Sequence, residues 1–149
     1  MGDRTILLVE DNANDEALTL RAFGKNCIAN EVVVARDGSE ALDYLFARGS
    51  YTGRNPAEMP QLVLLDLNLP KMGGLDVLRK IRGDERMKLL PVVILTSSKQ
   101  DQDLLAGYTS GANSYVVKPV NFIEFSAAVR QLGLYWLVLN ERPPGQHER

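Results

Sequence analysis

The chain has 149 residues, of which 45% are hydrophobic and 24% charged, and its formal net charge is −2. These values are typical of one globular domain with a single core, and the absence of a basic block argues against a nucleic-acid partner. No signal peptide is expected before the first apolar run, and no apolar stretch looks long enough to span a bilayer. The single cysteine, Cys27, has no partner for a disulfide or a zinc site. The sequence therefore predicts a cytoplasmic protein without a membrane partner.

Strand-like apolar runs alternate with segments in which hydrophobic residues recur at roughly helical spacing. Parallel strands need crossover connections, and helices supply them here. Runs that are apolar throughout indicate strands covered on both faces, and five strands are too few for a closed barrel. The fold class is therefore α/β, an open doubly wound parallel sheet. In chain order, the predicted elements are strand Ile6–Val9, helix Asp15–Gly24, strand Glu31–Ala35, a helix opening at Gly38, strand Leu62–Leu65, helix Leu75–Arg82, strand Val92–Leu95, helix Asp101–Ser110, strand Tyr115–Val117 and a helix beginning near Phe122.

One connection is longer than the usual two to six or so residues between a helix and a strand. The segment from Arg48 to Gln61 contains two glycines and two prolines and leads into the amino end of the third strand. We expect a surface insertion, with contact to a partner as the alternative.

Polar side chains stand where four of the apolar runs end. Open α/β sheets bind ligands beyond the carboxyl ends of their strands, so these side chains should share one crevice. Such a cluster is costly in a core unless it is compensated. The residues are Glu10 and Asp11 after the first strand, Asp66 after the third, Thr96 after the fourth and Lys118 after the fifth.

The crevice has the groups that phosphoryl transfer to a carboxylate requires. Asp66 could attack phosphorus, and its neighbouring carboxylates with the backbone carbonyl at Asn68 could hold Mg²⁺. Lys118 and Thr96 could contact phosphoryl oxygens as a point charge and a hydroxyl donor. Alone, each of these residues would be interpreted as an ordinary turn, cap or strand residue. Together in one crevice they favour a functional site.

These motifs resemble the receiver domain of bacterial response regulators. The resemblance covers residues 5 to 132 in order. It rests on Val9-Glu10-Asp11, on Leu65-Asp66-Leu67-Asn68-Leu69-Pro70 with Gly73-Gly74, on Leu95-Thr96-Ser97, and on Tyr115 before Lys118-Pro119.

The resemblance implies a flavodoxin-like (βα)5 fold with strand order 2-1-3-4-5. It makes Asp66 the phospho-acceptor and Lys118 the phosphoryl contact, with a cis peptide bond before Pro119, and it makes Thr96 and Tyr115 a switch pair. The implied metal ligands for Mg²⁺ are Glu10, Asp11, Asp66 and the main chain of Asn68. A receiver domain would occupy residues 1–142, with a disordered tail at 143–149, no output domain and no catalysis beyond its own phosphorylation and dephosphorylation.

The phosphate donor should be another protein, a sensor histidine kinase, because the only histidine here, His147, lies in the polar tail. The long loop and the tail from Leu134 onwards are similar to those of stand-alone regulators that partner phytochrome kinases.

Two other classes use a related sheet. A haloacid-dehalogenase-type phosphatase also has an aspartyl nucleophile, but its pattern needs a second Asp where this chain has Asn68. A flavodoxin-like cofactor binder would need a phosphate loop where Glu10 and Asp11 stand, and these would repel phosphate without a metal. Within the receiver interpretation, a shuttle to a histidine phosphotransfer protein competes with a regulator that acts by self-association.

The final helix carries more apolar surface than one sheet face needs. A stripe of Phe122, Phe125, Val129, Leu132, Trp136 and Leu139 is predicted to pack on the sheet. Leftover apolar residues on a helix at the edge of a domain commonly mark an interface. We therefore predict a homodimer through the fourth helix, fifth strand and fifth helix, strengthened by phosphorylation. The alternative is that the tail folds back onto its own domain. The leftover residues are Leu134, Tyr135, Leu137 and Val138.

Overall fold

The computed structural model describes residues 5–25, 30–141 and 143–144, so Cys27, His147 and most of the predicted disordered tail lie outside the described residues. Five parallel strands form one sheet in the order β2-β1-β3-β4-β5, and this confirms the predicted fold class and strand order. The elements are β1 Thr5–Val9, α1 Ala13–Lys25, β2 Glu31–Ala35, α2 Gly38–Phe46, β3 Leu62–Leu65, α3 Gly74–Arg82, β4 Val92–Thr96, α4 Asp101–Thr109, β5 Ser114–Val117 and α5 Phe122–Gly133, with a 3-10 turn at Gly49–Tyr51 and a π-helical segment at Leu134–Leu139.

The side chains of each central strand contribute to two hydrophobic cores, one on each face of the sheet, because successive side chains of a strand point to opposite faces. In β1, Leu7 and Val9 belong to the core beneath α2 and α3, while Ile6 and Leu8 belong to the core beneath α1 and α5. All four are at most 2% exposed. The uninterrupted apolar runs therefore arise from burial on both faces, which leaves the strand ends as the place for polar residues.

The first helix begins two residues earlier than predicted. The side chain of Asn12 accepts a hydrogen bond of 2.9 Å from the backbone N–H of Asp15, which is a typical helix N-cap. This cap starts the helix at Ala13 and places Asp15 in its first turn, directly beside the end of β1.

The long connection from Arg48 to Gln61 is folded onto the domain. Arg54 donates to the backbone carbonyls of Tyr44 and Leu45 at the end of α2, and its guanidinium lies 4.3 Å from the centre of the Tyr44 ring. Gln61 donates 3.1 Å to the carbonyl of Leu137 in the π-helical segment. The loop before β3 is therefore hydrogen-bonded both to the end of α2 and to the π-helical segment Leu134–Leu139.

The segment that follows α5 is π-helical, and the N–H of Asn140 donates to the carbonyl of Tyr135 five residues earlier. Trp136 continues the buried line of Phe125 and Val129. Leu139 was predicted to join this line, but it is 60% exposed. The wider turn of a π-helix moves the next inward position beyond Leu139, so that part of the predicted stripe is wrong.

One helical stretch, Phe122–Leu139, is 18 residues long with a mean hydropathy of 1.2, so it could cross a membrane by length and composition. The prediction that no apolar stretch reaches such a length is therefore wrong. In this structure Phe125, Val129 and Trp136 of the stretch pack into the core beside the sheet. Such packing is that of an amphipathic helix on the edge of a globular domain.

Candidate functional site

Two buried carboxylates form the floor of a crevice at the carboxyl edge of the sheet. Val9 of β1 pairs with Leu65 of β3, so the residues that follow them, Glu10 and Asp66, lie side by side. Glu10 is 2% exposed and Asp66 is 6% exposed. Two neighbouring carboxylates in so little water need a positive partner.

Lys118 supplies that positive partner. It follows β5 across the sheet, and its Nζ donates 2.7 Å to Glu10 Oε1, 2.8 Å to Asp66 Oδ2 and 2.7 Å to Asp15 Oδ2. An ammonium has three N–H donors, so every one of them meets a carboxylate. One cation therefore faces three anions, and the crevice keeps an excess of negative charge.

The pKa values of Glu10 and Lys118 are both raised, for different reasons. Burial raises the pKa of Glu10 to about 7, although hydrogen bonding to Lys118 opposes the rise. Burial by itself would lower the pKa of Lys118, but its hydrogen bonds to Asp15, Asp66 and Glu10 outweigh burial and raise that pKa. Lys118 is therefore a fixed positive charge, whereas Glu10 exchanges a proton near neutral pH.

The other carboxylate oxygen of Asp66, Oδ1, also accepts hydrogen bonds. Thr96 Oγ1 donates 2.9 Å to Asp66 Oδ1, and the backbone N–H of Asn68 donates 3.0 Å to the same oxygen. With Oδ1 bound by these two donors, Oδ2 faces Lys118. The carboxylate is thus fixed in one orientation, with one oxygen turned towards the crevice.

Gly74 allows the chain to pack closely behind Asp66. A Cβ atom on Gly74 would stand 2.3 Å from the carbonyl oxygen of Asp66 and 2.8 Å from Cα of Leu67. Real side chains do not tolerate such distances, so only glycine can begin α3 at this point. The second glycine of the Gly73-Gly74 pair therefore has a steric reason that the strand pattern did not give, whereas a Cβ on Gly73 would come no closer than 3.9 Å to the Leu67 carbonyl.

Tyr115 lies between α4 and the loop that precedes this helix. Its hydroxyl donates 3.0 Å to the carbonyl of Ser98, and its ring packs beside Gly107 of α4 and the core beneath α2 and α3. Burial raises the pKa of this phenol. The predicted switch pair is thus found with Thr96 turned to Asp66 and Tyr115 tucked inward.

The predicted cis peptide bond between Lys118 and Pro119 is wrong. The described residues contain no cis peptide bond. A trans bond before proline is favoured by about 0.5–1 kcal/mol, and here the lysine reaches all three carboxylates from a trans backbone. No cis geometry is needed to turn its side chain inward.

The predicted acidic set and the observed one differ by one residue. Among the described residues, the acidic side chains with oxygens within 4.8 Å of one another are Glu10, Asp15 and Asp66. Asp11 and Asn68 line the crevice but are exposed. The sequence prediction missed Asp15, although Asn12 and Asp15 have the spacing of a helix cap and its third residue, which would place Asp15 in the first turn after the end of the first strand.

The predicted interface residues divide into two groups. Leu134, Tyr135 and Val138 are 51%, 50% and 71% exposed, so their side chains are accessible to a partner. Leu137 is half-buried and packs on the core beneath α1 and α5. The exposed patch is therefore Leu134, Tyr135 and Val138, extended by Leu139.

The family to which this chain belongs follows from comparison with known proteins. Residues 6–130 match the model of the response regulator receiver domain, so the chain is a member of that family. Its fold and the order of its site residues are those of a receiver domain of two-component signalling.

Several relatives share almost the whole length. The structure of the bacteriophytochrome response regulator AtBRR is 55% identical, with 93% of this chain and 99% of that chain covered and a TM-score of 0.75. The Mn²⁺-bound form of the response regulator Rcp1 is 35% identical, with 93% and 98% covered and a TM-score of 0.84; Rcp1 is from Synechocystis. The probable methanogenesis regulatory protein FilR2 of Methanothrix harundinacea is 42% identical over 93% of this chain and 86% of that protein.

The site and the relatives agree on a signalling protein whose acidic crevice fits a divalent metal beside an aspartate. Receiver domains bind a divalent metal, and the carboxylates that line this crevice are hard oxygen donors of the kind that such a metal prefers. The chain is therefore a receiver-domain response regulator of the Rcp1 type.

Proposed function

We propose that Asp66 accepts a phosphoryl group from a phosphohistidine of a sensor kinase. The observation that carries this proposal is the orientation of Asp66, with Oδ1 held by Thr96 and Asn68 and Oδ2 directed at Lys118. In the reaction Oδ2 forms a bond to phosphorus while the bond between phosphorus and the histidine nitrogen breaks. The electron pair stays on the imidazole, which then takes a proton from solvent. Lys118 meets the charge that arrives on the phosphoryl oxygens.

Mg²⁺ is the metal that we propose for this site. It would neutralise charge between the phosphoryl group and the carboxylates, and oxygen ligands with open water positions suit it. Glu10, Asp11 and Asp66, with the backbone carbonyl of Asn68, would hold it. The single Lys118 cannot neutralise all the carboxylates of the crevice, which explains why a cation should bind beside it.

A phytochrome kinase is the donor that we propose to test first. Support comes from the bacteriophytochrome regulator at 55% identity, together with the long loop and the C-terminal helical segment. The 42% identity to FilR2 shows that similar receivers also occur in other pathways. The protein would act in the cytoplasm, without a nucleic-acid partner and without turnover of an external substrate.

Phosphotransfer from purified autophosphorylated kinases tests this proposal. A phytochrome kinase and unrelated kinases from the same genome are each mixed with the wild-type chain and with Asp66→Asn, in Mg²⁺ and in EDTA. We expect rapid, Mg²⁺-dependent transfer from the phytochrome kinase to the wild type alone. Faster transfer from an unrelated kinase would overturn the partner, and labelling of Asp66→Asn would overturn the phospho-acceptor.

The output should be a change in the surface formed by α4, β5 and α5. A phosphoryl group on Asp66 adds nearly two negative charges beside Thr96, which fixes that hydroxyl towards the crevice. A Thr96 side chain turned away from α4 would leave room for Tyr115 to pack inward. Phosphorylation would therefore stabilise the arrangement in which Tyr115 bonds Ser98, and it would act by shifting a population.

Self-association through the C-terminal patch is the output that we propose. Leu134, Tyr135 and Val138 expose apolar surface on one edge of the domain, and a homodimer would cover it. Sedimentation with and without beryllofluoride tests this, beside Tyr135→Ala and the half-buried control Leu137→Ala. A wild type that stays monomeric in both states at tens of micromolar would overturn the dimer and favour a shuttle to a histidine phosphotransfer protein.

A further inference from the structure

We propose that Asp15 is a positioning residue for the phosphorylation of Asp66, and that it acts through Lys118. This inference rests on the proposed function of Asp66. Asp15 was not one of the residues that the strand ends brought together, because it belongs to the first turn of α1. It nevertheless makes one of the three bonds that fix the lysine, with Lys118 Nζ 2.7 Å from Asp15 Oδ2.

The three carboxylates hold Lys118 from different depths. The side chains of Glu10 and Asp66 are 3% and 8% exposed, so they hold the ammonium from the floor of the crevice. The side chain of Asp15 is 31% exposed and holds the same ammonium from the rim. A phosphoryl donor must enter from the solvent side, so the bond to Asp15 draws the positive charge towards the place where the phosphoryl oxygens arrive.

Phosphorylation of Asp66 frees the N–H of Lys118 that was bound to Asp66, whereas the N–H bound to Asp15 can keep its acceptor. Asp66 Oδ2 becomes the bridging oxygen of an acyl phosphate, so the N–H that it accepted must turn to a phosphoryl oxygen. An ammonium that is still bound to Asp15 remains at the rim and meets that oxygen. Without Asp15, the ammonium settles between Glu10 and Asp66, and the incoming charge lacks its partner in the transition state.

The backbone keeps Asp15 in place independently of Lys118. Its N–H is capped by the Asn12 side chain, and its carbonyl accepts 2.8 Å from the hydroxyl of the buried Thr19. Replacing the carboxylate by an amide therefore leaves α1 intact and removes only the charge that faces Lys118. Glu16, the next residue, pairs with Arg36 instead and gives a matched control of equal charge.

The test is the rate of phosphorylation by acetyl phosphate at saturating Mg²⁺, followed by intact-protein mass. The Asp66 oxygen attacks phosphorus, and acetate leaves with its electron pair. We expect Asp15→Asn to lower the maximal rate about five- to tenfold with little change in the half-saturating acetyl phosphate concentration. Asp15→Glu should recover most of the rate, and Glu16→Gln should stay within about twofold of wild type.

Placing Asp15→Asn in a Lys118→Ala background identifies the route of the effect. If Asp15 acts through Lys118, its replacement changes the rate of Lys118→Ala by less than about twofold. An undiminished effect in that background would overturn the proposal. So would a Mg²⁺ half-saturation raised more than about tenfold by Asp15→Asn, which would make Asp15 a metal ligand. The proposed function fails separately, if the wild type itself is not phosphorylated on Asp66.

Discussion

Glu10 should make the metal-free protein less stable as pH rises through neutrality. Its pKa rises from 4.5 to about 7 in the folded state because of burial, so the folded protein binds the extra proton between these values. Stability therefore falls as pH rises from about 4.5 to about 7, and the whole cost is present above that window. At about 1.4 kcal/mol per pKa unit, the cost is about 3 kcal/mol.

Glu10→Gln removes this proton exchange while an amide oxygen still faces Lys118. Urea unfolding in EDTA from pH 5 to pH 8 gives the free energy of unfolding of both proteins, and their difference isolates Glu10 from every other titrating group. As the pH rises from 5 to 8, we expect the free energy of unfolding of Glu10→Gln to increase relative to that of the wild type by about 2–3 kcal/mol.

Addition of Mg²⁺ at pH 8 should reverse the order of the two proteins. Metal binding needs the ionised carboxylate, so the wild type gains stability from Mg²⁺ and Glu10→Gln gains less. Glu16→Gln, the matched control that lies outside the crevice, should follow the wild type throughout. Parallel pH profiles for the wild type and Glu10→Gln in EDTA would refute this account of the crevice.

Three further substitutions test the surroundings of the site. Gly74→Ala should cost about 1–3 kcal/mol in urea unfolding, because its Cβ would press on the Asp66 carbonyl. Gly107→Ala would place a Cβ 3.1 Å from Cδ2 of Tyr115, so it should displace that ring, seen as a shifted ring resonance in NMR. Arg54→Ala should cost about 1–3 kcal/mol through three lost carbonyl contacts, and leave the phosphorylation rate unchanged. Unchanged stability, an unmoved ring or a slower reaction, respectively, would contradict these expectations.

The sequence was sufficient for the sheet and for most of the crevice. Strands buried on both faces leave continuous apolar runs, and parallel strands end at one edge, so the positions of Glu10, Asp66, Thr96 and Lys118 followed from pattern and topology. The structure joins these four residues by hydrogen bonds, and it adds Asp15 to them.

The remaining features depend on interactions that a strand or helix pattern does not contain. Asp15 reaches the crevice because the Asn12 side-chain cap starts α1 two residues early. The spacing of hydrophobic residues does not contain this cap, so it could not indicate the position of Asp15. Leu139 is exposed because the helix changes from α to π geometry after Gly133, which moves the apolar stripe out of register. The trans bond before Pro119 reflects a small energy difference that a motif cannot decide.

We propose that one carboxylate, Asp66, accepts the phosphoryl group. The most direct test of this proposal is to treat the wild type with acetyl phosphate and Mg²⁺, trap the acyl phosphate by borohydride reduction, and locate the reduced residue by peptide mass spectrometry. A single modified position at Asp66, absent in EDTA and absent from Asp66→Asn, is the result that we predict. Modification at Glu10, Asp11 or Asp15, or equal labelling of Asp66→Asn, would contradict it.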